Sequence, residues 1–154
     1  MLAWRIVRTA HASDPLSGEG SVRWGNRWNS IGVRMAYVAT SRPLAVLEML
    51  VHLPRGQAPL DTVLLPLDVP DRLISALPEL PAGWNDFPYQ PESRRLGDQW
   101  ISEGTSAALL VSSAILPAER NILINPKHPD FAQIRIGEPE PHAFDRRLFR
   151  LRRA

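Results

Sequence analysis

A short stretch of this chain carries an arginine in a turn-prone run, Gly25-Asn26-Arg27-Trp28-Asn29, then Tyr37, then a lone carboxylate, Glu48, in an otherwise apolar segment. A guanidinium, an aromatic hydroxyl and a carboxylate are the parts of a site that grips an anionic sugar-phosphate and stabilises a cationic centre. Gly25 and Asn26 permit a tight turn close to a ligand, and an arginine presented there could clamp a pyrophosphate with two parallel hydrogen bonds. Taken alone, Arg27 could equally form a surface salt bridge. Trp28 and Tyr37 could stack on a nicotinamide or adenine ring, or serve as plain core aromatics.

Glu48 carries the most physical information. In Leu44-Ala45-Val46-Leu47-Glu48-Met49-Leu50-Val51 the apolar residues cover every face of a helix, which predicts an element largely buried, its carboxylate with it. A buried carboxylate is costly unless paired or hydrogen bonded, and such groups cluster at functional sites. His52 follows at the (i, i+4) spacing that shares a helix face. Pairing of Glu48 with a core arginine is the structural alternative. Two ligands at this spacing are thin support for a metal site.

The elements that must position these residues are legible in outline. Leu2 to Val7 reads as a first strand, Gly18-Glu19-Gly20 as a turn, and Met35 to Ala39 as a second strand. Pro43 suits a first helical turn capped by Thr40 or Ser41, and Pro54 and Gly56 are expected to stop that helix after Leu53. Thr62 to Val69 is strand-like but contains Pro66, which suggests an edge strand or a bulge. Arg72 to Leu77 reads as one or two helical turns. Pro78 to Pro91, with four prolines and three aromatics, is a long loop of the kind that packs on itself or covers a site. Glu92 to Ile101 reads as a helix ended by Gly104. Strands are expected at Ala107 to Ser113 with Ile115, Ile122 to Ile124, Gln133 to Ile136 and Ala143 to Leu148. The pattern is α+β, a mixed sheet flanked by helices.

Composition sets the class. A chain of 154 residues has the length of one domain, so 1–154 is expected to be a single unit. Hydrophobic content of 44% and charged content of 22% exclude a disordered chain, and no apolar stretch approaches the roughly 20 residues of a membrane span. Arg5 and Arg8 directly after Leu2-Ala3-Trp4 leave no room for a secretory signal, and zero cysteines leave no disulfide framework or thiolate zinc site. The expected location is cytoplasmic. Net charge is +2 although seventeen arginines accompany one lysine. Arg146, Arg147, Arg150, Arg152 and Arg153 crowd the end of the chain, either as a solvated basic tail or as a contact for nucleic acid or an acidic protein.

Several separated motifs resemble one family. The Gly25 to Asn29 run, the Tyr37 strand, Leu47-Glu48 with His52, Gly83-Trp84, Gly97-Asp98 with Trp100, Val111-Ser112-Ser113-Ala114-Ile115, Asn121, Asn125-Pro126, His128-Pro129 and Phe144-Asp145 with Arg147-Leu148-Phe149 occur in the order of the RES domain. The resemblance runs from about residue 4 to 149. The arginine, glutamate and serine that name that family match Arg27, Glu48 and Ser113. Asn26 stands where a second glycine is common, and Ser112 where proline commonly precedes the serine.

The resemblance implies the toxin half of a bacterial toxin-antitoxin pair, with an ADP-ribosyltransferase-like fold and NAD as consumed substrate. It implies degradation of NAD by hydrolysis or phosphorolysis or, in some members, transfer of ADP-ribose to a protein. Expulsion of neutral nicotinamide leaves an oxocarbenium-like ribose, so the reaction needs negative charge and orientation and no metal. Glu48 would stabilise that charge, Arg27 would hold the pyrophosphate, Tyr37 would pack on the nicotinamide, and Ser113 would bond substrate or orient Glu48. Trp28 and Asn29 would shape the same wall. The implied partner is an antitoxin with an Xre-like helix-turn-helix that occludes the cleft, so that DNA is met only through it. A toxin homodimer within the complex is implied too. Two readings of other classes stay open: a nucleic-acid-binding module using the arginine-rich end, and a non-catalytic interaction protein.

Overall fold

The computed structural model describes residues 1–149 apart from Arg55, Gly56, Ala58 and Pro78. In chain order its elements are β1 (Leu2–Arg8), α1 (Glu19–Trp24), β2 (Ala36–Ala39), α2 (Arg42–Leu50), β3 (Thr62–Asp68), β4 (Ile74–Ala76), α3 (Pro91–Glu103), β5 (Ala108–Ser112), β6 (Arg120–Ile124), β7 (Arg135–Ile136) and β8 (Glu140–His142). Short 3-10 turns fill several connections. The strands form one sheet in the order β4-β5-β6-β2-β1-β3-β7, with β8 also on β3. The β4–β5 pair is parallel and the others are antiparallel, so the sheet is mixed and the fold is α+β, as expected.

Strand alternation sorts the core onto two faces. Ala36 and Val38 of β2, Ile122 and Ile124 of β6 and Leu67 of β3 join one buried cluster. Trp4, Ile6 and Ala39 face the other way, against Leu44 and Ala45 of α2. On that second face α3 brings Trp100 onto Leu109, Val111 and Leu123.

One break in the sheet positions the site. β1 keeps a continuous register with β3 from Leu2↔Asp68 to Arg8↔Thr62. With β2 it shares the single pair Trp4↔Ala39. Past that pair the strands part, and a cleft of about 690 Å³ opens along both, walled on its far side by α1 and the turn before it.

Several expectations are corrected. Gly18 alone makes the turn, with φ of +67°, and Glu19 already starts a helix. α2 stops at Leu50, not Leu53: His52 and Leu53 donate back three residues to Met49 and Leu50, and a residue before proline is disfavoured in helical backbone. Gly56, expected to help stop it, lies outside the described residues. α2 is also less buried than its composition implies, since Leu44 and Ala45 are buried while Val46 to Leu50 are half-buried. Apolar residues on all faces show what a helix could bury, not what the fold lays over it.

β3 lies inside the sheet despite Pro66. The Pro66 carbonyl accepts from Gly137 at 2.8 Å on the side where β7 and β8 each pair with only part of β3, so the missing N–H falls in the gap between them. Residues 71–73 form a 3-10 turn and 74–76 pair as β4, where helix was expected for Arg72 to Leu77. Pro129–Gln133 is a 3-10 turn, leaving Arg135–Ile136 as strand. The expected last strand, Ala143 to Leu148, does not form: β8 ends at His142, 143–145 carry no regular element, and Arg146 to Leu148 lie in the 3-10 turn Arg146–Phe149. On that turn Arg147 pairs with Asp145 at 2.7 Å, while Arg150, Arg152 and Arg153 lie outside the described residues.

Candidate active site

The arginine turn is built by its neighbours. Gly25 adopts φ of +64°, and Asn26 N donates to Asn29 O at 2.9 Å, closing a tight loop with Arg27 and Trp28 at its tip. Asn29 is fully buried, its Nδ2 3.0 Å from each of the carbonyls of Ser21, Ser30 and Val33. α3 pins the same loop from outside: Arg94 Nε donates to Asn26 O at 3.1 Å, and Asp98 Oδ1 accepts from Ser30 N at 2.9 Å. The loop is thus preorganised before any ligand arrives.

Tyr37 on β2 reaches this loop. Its hydroxyl donates to Asn29 Oδ1 at 2.7 Å and accepts from Trp28 N at 3.3 Å. Burial pushes the hydroxyl well above the ordinary tyrosine range, against the opposing pull of the Trp28 N–H. Tyr37 therefore stays neutral at physiological pH.

Arg27 is already engaged. Its Nη1 donates to Trp84 O at 2.5 Å and Asp86 O at 3.0 Å, and its guanidinium lies 4.7 Å from the Tyr89 ring centre. Burial lowers its pKa, opposed by Tyr89, Glu48 and Asp86. Trp84 also stacks on Trp28, ring centres 6.2 Å apart. The proline-rich loop is fastened to the arginine turn by main chain and ring alike.

Glu48 stands on α2, begun by Ser41, whose Oγ accepts from Leu44 N at 3.2 Å. Its Oε1 accepts from Ser113 Oγ at 2.8 Å and from Asn121 Nδ2 at 2.5 Å. Ser113 is fully buried and accepts in turn from Ile115 N and Leu116 N, at 3.2 and 3.3 Å, which aims its hydroxyl proton at Glu48. Ser112, its neighbour, is bonded instead to Arg120. One carboxylate oxygen is thus fixed by two donors, while the residue borders the cleft.

The structure brings Arg27, Trp28, Tyr37 and Glu48 onto the wall of one cleft. Asn29 and Ser113 lie behind that wall, each fully buried, Asn29 bonded to Tyr37 and Ser113 to Glu48. His52 borders the cleft one turn beyond Glu48, and among the described residues no group of three or more His, Asp or Glu converges as a metal site. Asn121 was not singled out for a role by residue type. Its signal was strand phase: it stands two residues before the fully buried Leu123, on the face where an apolar residue is expected. Chemically, the cleft offers a cation at the turn and an oriented carboxylate beside a neutral aromatic. That suits a substrate with an anionic part and a centre that becomes positive.

Comparisons with known proteins identify the family. The family model described as RES domain matches residues 2–145. A Sphingobium protein named Prs ADP-ribosylating toxin is 42% identical, covering 96% of each chain. A Pseudomonas putida protein named Toxin Res is 40% identical, covering 97% of this chain and all of that one. Among solved structures, the Mycobacterium tuberculosis MbcT-MbcA toxin-antitoxin complex contains a chain with TM-score 0.71 at 18% identity, covering 96% of this chain and 86% of that one, a likeness of fold. Matched by the RES domain model over nearly its whole length, the chain belongs to the RES domain family.

Proposed function

We propose that this chain is the toxin of a toxin-antitoxin pair, a single RES domain that consumes NAD by cleaving the bond between nicotinamide and ribose. The observation that carries the reading is the Glu48 carboxylate, with Oε1 fixed by Ser113 and Asn121 on the cleft shared with Arg27 and Tyr37. The names of its relatives support it.

The nicotinamide nitrogen leaves with the bonding electron pair as a neutral base, and ribose C1′ becomes electron-poor. Glu48, held in place before substrate arrives, offers negative charge where positive charge develops. Arg27 grips the pyrophosphate, and the neutral Tyr37 ring packs on the leaving nicotinamide. Ser113 and Asn121 orient Glu48, as Asn29 orients Tyr37. Trp28 shapes the wall. A lone pair of the acceptor, water or phosphate, then bonds C1′, and its proton passes to solvent. No metal enters this scheme.

A second reading is transfer of ADP-ribose to a protein, which the name of the Sphingobium relative favours. The loop tied to Arg27 borders the approach and controls which acceptor is admitted. The partner is an antitoxin of Xre-like helix-turn-helix type that covers the cleft, meets DNA on the toxin's behalf and restrains a toxin homodimer in the cytoplasm. Among the described residues no helix is long and apolar enough to cross a membrane.

The test is incubation of the purified chain with NAD, with and without phosphate and with a lysate, following nicotinamide release and labelled ADP-ribose together. Glu48→Gln is expected to bind NAD yet release nicotinamide slower by a factor on the order of 100 or more. Unchanged turnover in that variant overturns the role of Glu48. Labelling of one discrete lysate protein moves the assignment to the transferase reading.

A further inference from the structure

Arg27 keeps part of its guanidinium unspent. The loop carbonyls of Trp84 and Asp86 are both served by Nη1, while Nε and Nη2 make no hydrogen bond among the described residues. Nε and Nη2 lie side by side on one edge of the guanidinium plane, the parallel pair of donors that matches two oxygens of a phosphate. That edge serves a ligand best when the plane is already held, because ordering a long side chain during binding costs affinity.

Tyr89 supplies such a hold. Its ring centre lies 4.7 Å from Arg27 Cζ, within the range of cation-π attraction, and the residue borders the same cleft. The ring is fixed from elsewhere too. Arg94 of α3 places its guanidinium 5.7 Å from the Tyr89 centre while its Nε donates to Asn26 O at 3.1 Å, and Phe87 meets the ring edge to face with centres 5.6 Å apart. Tyr89 is thus tied to helix and turn by contacts that do not pass through Arg27. Its hydroxyl has no hydrogen bond among the described residues, so the ring alone makes the contact with Arg27.

We infer that Tyr89 is a positioning residue for substrate binding, its ring fixing the Arg27 plane so that the unspent Nε–Nη2 edge is held ready for a phosphate group in the cleft. The inference rests on the NAD reading for the identity of the substrate. Its own content, a ring that acts through an arginine on an oxyanion, is tested separately with inorganic pyrophosphate.

The experiment compares the unmutated chain with Tyr89→Phe, Tyr89→Leu, Arg27→Gln and the double variant Arg27→Gln/Tyr89→Leu, by steady-state NAD cleavage and by calorimetric titration with inorganic pyrophosphate. Tyr89→Leu is expected to raise KM for NAD and weaken pyrophosphate binding by roughly 3- to 30-fold, with kcat changed less than about twofold. Tyr89→Phe keeps the ring and is expected to match the parent. In the Arg27→Gln background Tyr89→Leu should add little, because the ring acts through that guanidinium. A fully additive loss in the double variant, an equal loss in Tyr89→Phe, or a fall confined to kcat overturns the inference. If the parent cleaves NAD and Tyr89→Leu matches it in KM and in pyrophosphate affinity, the inference fails while the NAD reading stands. If the parent does not cleave NAD, the NAD reading fails and the pyrophosphate titration decides alone: weakening in Tyr89→Leu but not in Tyr89→Phe supports the inference, and any other pattern, including no binding by the parent, overturns it. Should Tyr89→Leu not fold, a crystal structure of the unmutated chain with pyrophosphate decides. An oxyanion on Nε and Nη2 with the guanidinium still over the Tyr89 ring supports the inference, and an anion bound elsewhere, or by an Arg27 that has left the ring, overturns it.

Discussion

Gly97 of α3 lies directly against the main-chain carbonyl of Trp28, so close that a methyl group added at Gly97 would come within 1.8 Å of that oxygen. The helix therefore seats the arginine turn by backbone contact, with Asp98 and Arg94 bonding it on either side.

Gly97→Ala is expected to be destabilising although alanine favours helix. The gain in propensity is about 1 kcal/mol, whereas forcing a methyl into main chain costs typically about 1 to 3 kcal/mol and here meets atoms that cannot rotate away. Urea denaturation checks this, and NAD turnover should fall with it because Arg27 and Trp28 shift. A stabilised, fully active Gly97→Ala protein would contradict the packing described.

Ser113→Ala and Asn121→Ala each remove one donor from Glu48 Oε1. Each is expected to lower kcat by about tenfold with little change in KM, as for a group that orients a carboxylate without touching substrate. The double variant should cost less than the product of the two, since both act through one oxygen. Steady-state kinetics on the four proteins settles the point, and a rise confined to KM would place either side chain against substrate instead.

Tyr37→Phe tests the buried hydroxyl. A group whose folded pKa is raised lends stability that is fully present below its unfolded pKa, about 10 for tyrosine, and is lost as pH climbs beyond it toward the folded value. Near neutrality the variant should be less stable by about 1 to 2 kcal/mol through the lost bonds to Asn29 and Trp28. Toward pH of about 11 the difference should narrow, because the parent alone loses the hydroxyl contribution. Denaturant midpoints of both proteins across that range give the answer; a widening gap would reverse the sign.

Trp84→Ala removes the ring stacked on Trp28 while keeping the carbonyl that binds Arg27. Loss of an aromatic pair beyond its area is worth about 0.5 to 1.5 kcal/mol. Protease cleavage between Pro81 and Tyr89 should accelerate relative to the parent, and equal cleavage rates would show that the loop is held by main-chain bonds alone.

What could be read from the sequence divides along physical lines. Pro43 with Ser41, Gly104 and the apolar run of β1 state their structure locally, and α2, α3 and β1 lie close to their expected bounds. Pro66 misled because whether a strand lies at an edge depends on which strands arrive later, here β7 and β8. The tail after β8 misled because a few apolar residues suit a strand or a 3-10 turn equally well until Phe144 and Phe149 find Trp4 and Ile6. Arg27, Tyr37 and Glu48 announced themselves by type. Asn121 stood among the family motifs without a role, which becomes evident only when strand phase turns its amide toward Glu48.

The bonds from Arg27 to the carbonyls of Trp84 and Asp86 have a consequence for selectivity. A ligand that takes over Nη1 gains only the difference between its own oxygen and the carbonyl it displaces, whereas the Nη2 and Nε donors are not spent on those carbonyls. An ionised phosphate exceeds a neutral carbonyl as an acceptor, and a ribose hydroxyl or amide does not. Exchange at Nη1 would thus favour an anion over an uncharged nucleoside fragment, and only a ligand that displaces both carbonyls would free the loop that carries them.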